Sequence, residues 1–323
     1  VMAVEPENAD GLGRMIVSDD QKLEYIVEDK DCTDEQRDIK LCNAGNFCVP
    51  ASHLAEWLSQ LESKNKQGEY YLTDITPIAK KDGFETHVVE TFINGSWGIN
   101  TRIELAGHEM LAQDMLCAQA MENGATLMDP SSVTLSWDTK FGKDVVVEPH
   151  VVFGTGVSIA DNVTIYAFSH ITGAKIEEGA EVGPFARIRP KSVIESKASI
   201  GNFIEVNRST IKAGAKAKHV SYIGDAVIGE GSNIGAGTII ANYDGFFKHQ
   251  SKIGKSVFVG SNSTIISPVT IGDEAIVAAN STINKDIPGN AMAIARARQE
   301  NHPGWASQYR NIKQQEKQQQ EED

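Results

Sequence analysis

Over much of residues 147–283 an aliphatic residue returns at every sixth position: Ile159, Ile165, Ile171, then Val182, Ile188, Ile194, Ile200, Val206, and again Val259, Ile265, Ile271, Val277, Ile283. A helix buries one face about every 3.6 residues and a half-buried strand about every two, so a period of six groups strand steps in threes. Each hexapeptide then lays down one short strand, points its aliphatic residue inward and turns. The pattern predicts a parallel β-solenoid of triangular section with about 18 residues per coil.

Glycine often follows the inward residue, at Gly154, Gly183, Gly201, Gly229, Gly235, Gly254, Gly260 and Gly272. The expectation is that it relieves the backbone at a corner. The repeat shortens to five between Ile171 and Ile176 and between Val206 and Ile211, turns irregular from Ile211 to Ile228, and widens between Ile240 and Ile253. Residues 244–252, with Phe246, Phe247, Lys248 and His249, therefore project from a corner, either as a lid over a site or as a tolerated surface loop.

The first 145 residues lack this period and read as mixed α/β. Strand patterns fall at Val1 to Val4 and twice within Met15 to Glu28, and helix patterns at Ser52 to Ser63 and Thr101 to Asn123, the last ended by Gly124 and Pro130. The predicted organisation is a partial α/β domain over 1–100, a linker with a helix over 101–145, the solenoid over 146–310 and a charged, fraying tail over 311–323.

Composition narrows the functional classes. The chain of 323 residues is 41% hydrophobic and carries a net charge of −14. Residues 1–150 hold 27 acidic and 12 basic side chains, whereas Gly183 to Arg298 holds 14 basic against 8 acidic. No dense basic stripe argues for nucleic acid, and the local basic excess suits small phosphorylated ligands. No apolar run reaches the roughly 18 residues of a membrane span, so the expectation is a cytoplasmic protein with no membrane partner. Cys32, Cys42, Cys48 and Cys117 form no C-x-x-C pair and read as reduced packing residues.

Specific segments carry more. GPFARIRP (183–190), GNFIEV (201–206), KHVSYIGDA (218–226), NIGAGTIIANYDG (233–245), VFVGSNSTIISPVTIG (257–272) and GW (304–305) lie in the repeat region, and GLGRMI (11–16), IVEDKDCTDEQR (26–37), GEYYLTDI (68–75) and WGINTR (97–102) before it. Nearly end to end, the chain resembles the bacterial bifunctional enzymes that join a glucosamine-1-phosphate N-acetyltransferase to an N-acetylglucosamine-1-phosphate uridyltransferase. The resemblance implies a left-handed parallel β-helix; parallel crossovers are normally right-handed, so period alone does not give this hand. It also implies a homotrimer that uses acetyl-CoA to make a precursor of UDP-N-acetylglucosamine. The family's LxxGxGTRM phosphate loop and one magnesium-holding aspartate do not occur in the sequence, which opens on a valine inside a strand-like run. The uridyltransferase half is therefore read as an incomplete remnant. There the resemblance matches Gly13, Glu28, Asn43 and Asn100 to sugar-nucleotide contacts, with Asn100 also near Mg2+.

Acetylating an amine with a thioester calls for a base, oxyanion donors and clamps for two anionic substrates. An amino-sugar nitrogen titrates near an α-amino group, about 8, and imidazole near about 6.5, so His219 in KHVSY is the natural base. The family pattern assigns Glu205 to orienting His219, although without it Glu205 reads equally as a solvated edge charge. It matches Arg189, Tyr222, Asn233 and Lys248 to the sugar phosphate, with Arg187 a secondary candidate. Asn242 and Tyr243 match the reaction centre, and Ala236, Ser261, Ala279 and Arg296 match coenzyme contacts; Ala236 and Ala279 would otherwise read as corner packing. Asn207 stands where the family has lysine. Weaker phosphate affinity, or compensation by Arg208, is expected; a substrate complex with Arg208 in bulk solvent and undiminished affinity would remove both ideas.

Two other enzyme classes and one non-enzyme class share the repeat. Serine, maltose and lipid A pathway acyltransferases lack the GEYYLTDI and IVEDKD segments, and a carbonic anhydrase would need three histidines converging on one interface, for which His150, His170 and His219 are not spaced. The non-catalytic alternative is a solenoid scaffold or defunct fragment.

Overall fold

The computed structural model describes residues 1–91, 98–99 and 101–322, and divides into two units, Val1–Leu111 and Ala112–Asp323. In the first unit a five-stranded sheet runs in the order Leu23–Val27, Arg14–Val17, Cys42–Asn43, Met2–Val4, Val89–Glu90. Its pairs are antiparallel except that Met2–Val4 and Val89–Glu90 run parallel. Ala3, Met15, Leu23 and Ile26 form its core. The helix expected over 52–63 occupies Ala51–Ser59 and buries Trp57, whose indole N–H donates to Asp82 Oδ2 at 2.7 Å.

The second unit is a solenoid with three faces of parallel strands. The first face includes Val146–Val147, Thr164–Ile165 and Glu181–Val182; the second, Val152–Phe153, His170–Ile171 and Arg187–Ile188; the third, Ser158–Ile159, Lys175–Ile176 and Val193–Ile194. Each coil stacks on the next, with Ser158 paired to Lys175 and Lys175 in turn to Val193. Ser199–Asn207 and Lys216–Gly224 run through the corner between the first and second faces without a break. The aliphatic residues of the hexads fill one continuous core, with Ile165, Ile176, Val182, Ile194, Val206 and Ile265 fully buried.

Three expectations change in detail. The irregularity from Ile211 to Ile228 disappears, because Ala217 and Ile223 take the inward positions at 1% and 0% exposure. The solenoid also starts before residue 146: Thr126–Leu127 pairs with Val146–Val147, and Cys117 and Ala120 of the helix Arg102–Glu122 pack into the same core. Residues 305–322 form a helix, Trp305–Glu322, in place of a frayed tail. Its glutamines, lysines and glutamates are good helix formers, and Lys313 meets Glu316 at 2.6 Å across one turn.

Glycine after the inward residue has a different cause from backbone relief. Of the eight, only Gly183 has positive φ. A methyl group on Gly201 would lie 1.9 Å from the Lys218 carbonyl oxygen, and one on Gly260 2.4 Å from the Ala279 nitrogen. These glycines let adjacent coils close on each other. The left-handed turns fall further along each corner, at Asn162, Phe168, Lys191, Phe203, Asn262 and Asn280 among others. Cys32, Cys42 and Cys117 are buried free thiols as expected of packing residues, but Cys48 is exposed.

Candidate active site

Parallel pairing stacks the outward residues of the second face in a column: His170 beside Arg187, Arg187 beside Glu205, Glu205 beside Tyr222, Tyr222 beside Ile239. Arg187, Glu205, Tyr222 and Ile239, with Phe185 and Phe203 on the adjoining corner, line an open groove of about 370 Å³. Arg189 closes against Glu205, Nη1 to Oε1 at 2.8 Å, and Arg187 Nη1 stands 3.8 Å from Oε2. Glu205 is thus divided between two arginines.

His219 sits on the corner between the first and second faces, in register with Asn202. Its Nδ1 lies 3.2 Å from Asn202 Oδ1; an oxygen acceptor there favours the neutral tautomer with the proton on Nδ1, the form whose Nε2 carries the lone pair. The orienting contact expected from Glu205 is therefore made by Asn202 in this structure. The next residue, Val220, adopts φ of 34°, a left-handed value that a β-branched side chain disfavours. Along the same corner, Ala236, Ser261 and Ala279 follow in successive coils. Asn262 N–H donates to the Ala236 carbonyl and Asn280 N–H to that of Ser261, each at 2.7 Å. A small-residue track so extends from the histidine along the solenoid.

The opposite edge of the second face carries the other group. Asn207 is 4% exposed, and its Nδ2 approaches Tyr222 Oη at 3.5 Å. Arg208 turns back through φ of 50°, reaches Asn207 Oδ1 at 3.2 Å and grips both oxygens of Asp225 at 2.7 Å. That guanidinium, then the Asn242 amide, holds the Asp225 carboxyl below the usual carboxylate range. Positive charge is thus restored beside the position where the family has lysine, but with a carboxylate attached to it.

The insertion leaves this edge as a tight loop. His249 N–H donates to the Asn242 carbonyl at 2.8 Å, Tyr243 and Lys248 form an antiparallel bridge, and Phe246 and Phe247 are exposed at the tip. In a single chain the structure gathers Arg189, Glu205, Tyr222 and Asn207 on and beside the second face, and puts Asn242, Tyr243 and Lys248 at its far edge. Asn233 lies on the first face in register with Lys216, and Arg296 is exposed after the last strand, Met292–Ala293. Asn202 and Asp225 join the site without a sequence signal of their own, although GNFIEV and YIGDA contain them; Arg208, expected there only as a substitute for the lysine, is the partner of Asp225.

In the first unit, Asn43 N–H donates to the Gly13 carbonyl at 2.8 Å, and Thr73 Oγ1 donates to Glu28 Oε1 at 3.0 Å. A methyl on Gly13 would lie 3.4 Å from Glu28 Oε2, so Gly13, Glu28 and Asn43 are neighbours. Asn100 lies outside the described residues. Among the described residues no three histidine, cysteine, aspartate or glutamate side chains converge as metal ligands.

Residues 170–244 match the model of the GMPPB C-terminal domain, and residues 250–285 match the bacterial transferase hexapeptide model of six repeats. The bifunctional protein GlmU of Zymomonas mobilis is 46% identical over 313 residues, covering 97% of this chain and 70% of that protein. The chain belongs to the bifunctional GlmU family. Its GlmU relatives from Paramagnetospirillum magneticum and Sphingopyxis alaskensis are 45% and 48% identical over 96% of the chain and cover 69% and 68% of those proteins. Identity on this scale across nearly the whole chain includes the α/β unit, which the two hexapeptide-region models leave out.

Proposed function

We propose that this chain transfers the acetyl group of acetyl-CoA to the amino nitrogen of glucosamine-1-phosphate, a step in UDP-N-acetylglucosamine synthesis. The observation that carries the reading is His219, its ring set by Asn202, at the corner where the arginine-bearing second face meets the track of small residues. On this reading Arg189 and Arg187 receive the sugar phosphate, releasing Glu205 in part, and Tyr222 and Asn207 contact the sugar. Ala236, Ser261 and Ala279 allow the pantetheine arm to run close to the backbone, and Arg296 meets the nucleotide phosphates. The amine nitrogen attacks the thioester carbonyl as Nε2 of His219 takes its proton; the C–S bond breaks, and the proton passes to the departing thiolate.

The groove that Arg187, Glu205 and Tyr222 line is open on the solenoid surface, whereas the two substrates carry large polar surfaces. The reading therefore includes a homotrimer, with Asn233, Asn242, Tyr243 and Lys248 completing a neighbouring copy's site. In the first unit, Gly13, Glu28 and Asn43 make a neighbourhood for a sugar nucleotide, and no uridylyl transfer is drawn through it. Among the described residues no helix is long and apolar enough to cross a membrane. We place the reaction in the cytoplasm, where acetyl-CoA is available.

The test is coenzyme A release from acetyl-CoA with glucosamine-1-phosphate. Replacing the base, His219→Ala, should lower turnover by about 10²–10⁴-fold, the usual contribution of a positioned general base. Thiol release from the unaltered protein that persists in the variant would remove His219 from the mechanism. No release from a folded protein would favour the scaffold reading.

A further inference from the structure

At the far edge of the second face, polar side chains close on one another around a glycine. A methyl on Gly224 would lie 2.6 Å from Tyr222 Oη and 2.7 Å from Asn242 Nδ2, so the missing side chain is what lets the two approach. Asn242 is 5% exposed, and its Nδ2 donates to Asp225 Oδ2. Both oxygens of Asp225 are engaged by Arg208, whose paired N–H groups fix the carboxylate plane. An ionised carboxylate only accepts hydrogen bonds, so it admits one orientation of the facing amide, with Nδ2 inward. The carbonyl oxygen of that amide, Oδ1, receives no hydrogen bond among the described residues, and it is not among their fully buried unpartnered atoms.

We propose that Asp225 is a positioning residue for acetyl transfer: held by Arg208, it locks the Asn242 amide so that Oδ1 stands ready to accept an N–H of an incoming substrate. The inference rests on the acetyltransferase reading for its chemistry and on the Arg208, Asp225, Asn242 chain for its geometry. Both substrates carry such donors, the amine of the sugar and the amides of the pantetheine arm. A ready acceptor favours the attacking amine with its lone pair turned away from Oδ1, toward the thioester carbon. Were the amide free to turn over, it would offer N–H donors there for part of the time and repel an ammonium or amine proton.

The experiment compares the unaltered protein, Asp225→Asn, Asn242→Asp and the exchanged double variant Asp225→Asn with Asn242→Asp. Losing a charge-assisted bond that sets an orientation should lower kcat by about tenfold or more in Asp225→Asn, with KM for both substrates within about twofold. In the double variant the introduced amide donates to the introduced carboxylate, which still offers an acceptor outward, so kcat should rise above that of either single variant. Unchanged kcat in Asp225→Asn, an effect confined to KM, or a double variant no better than Asn242→Asp would each overturn the proposal. The second readout does not use turnover. In protein labelled with 15N at asparagine, the Asn242 side-chain signal should move in Asp225→Asn and in Arg208→Met; a signal indifferent to both removes the lock. If the unaltered protein releases no thiol from glucosamine-1-phosphate, the acetyltransferase reading fails, and the amide signal still decides the geometry.

Discussion

One carboxylate organises the loop at the far edge of the second face. Asp244 Oδ2 meets His249 Nε2 at 2.7 Å, while Oδ1 accepts from the backbone N–H groups of Phe247 at 2.6 Å and Phe246 at 2.7 Å. The His249 contact first, then those N–H groups, hold its pKa down to about 2 from an ordinary 3.8. A carboxyl whose pKa is lower folded than unfolded contributes to the loop fully above the unfolded value, and the contribution disappears as pH falls through the folded one. The amide signals of Phe246 and Phe247 should therefore stay fixed down to about pH 4 and shift between there and about pH 2, following the depressed carboxyl. A shift already complete at pH 4, or one retained in Asp244→Asn, would detach the loop from this residue. Single positions are also where sequence reading reached least far. Ala217 holds an inward site that a search for large aliphatics passes over. The choice between Glu205 and Asn202 as the histidine's partner depends on the register of strands in successive coils, and no side-chain type announces it.

Among the elements, the coil is the unit that both sequence and structure define most sharply. The hexad could be read because an inward position in so narrow a prism accepts few residue types, and a repeat of such positions has no competing explanation. The glycines were visible but not their purpose, since clearance between coils exists only once the coils are stacked. Gly201→Ala tests that purpose directly: its φ is not left-handed, and the added methyl would meet the Lys218 carbonyl at 1.9 Å. Overpacking of a backbone contact should cost about 2 kcal/mol or more, read as a lowered denaturation midpoint. Gly214→Ala supplies the contrast, as φ there is +65° with nothing within 4 Å, so its cost is backbone strain alone, about 1 kcal/mol. Equal stability of Gly201→Ala and the unaltered protein would mean that coils separate freely at this corner. The corner loop was legible as an interruption of the period, and its bridge between Tyr243 and Lys248 closes around the turn residues Asp244 and Gly245, the latter at φ of 102°.

For the molecule as a whole, the proposed assembly follows from how candidate residues are distributed around the prism. Sedimentation should give a species of three chains, each of 35.0 kDa, and mixing His219→Ala with Asn242→Ala chains should restore part of the activity through mixed sites. A monomer with full turnover would confine the site to one copy. The two-part organisation was readable because the six-residue period is confined to the later residues. The starting point of the solenoid was less so, since Leu127 and the next inward residue, Leu135, stand eight apart before Phe141 and Val147 take up the step of six. The stacking described above has one more consequence, for synthesis. Because Ser158 meets Lys175 and Val193 meets Thr210, each a single coil further on, nearly every coil finds its template in the chain made just before it. The prism can wind up behind the ribosome one turn at a time, and the pairing of Val227 with Lys252, which has to wait for the whole loop to be made, is where that winding must pause.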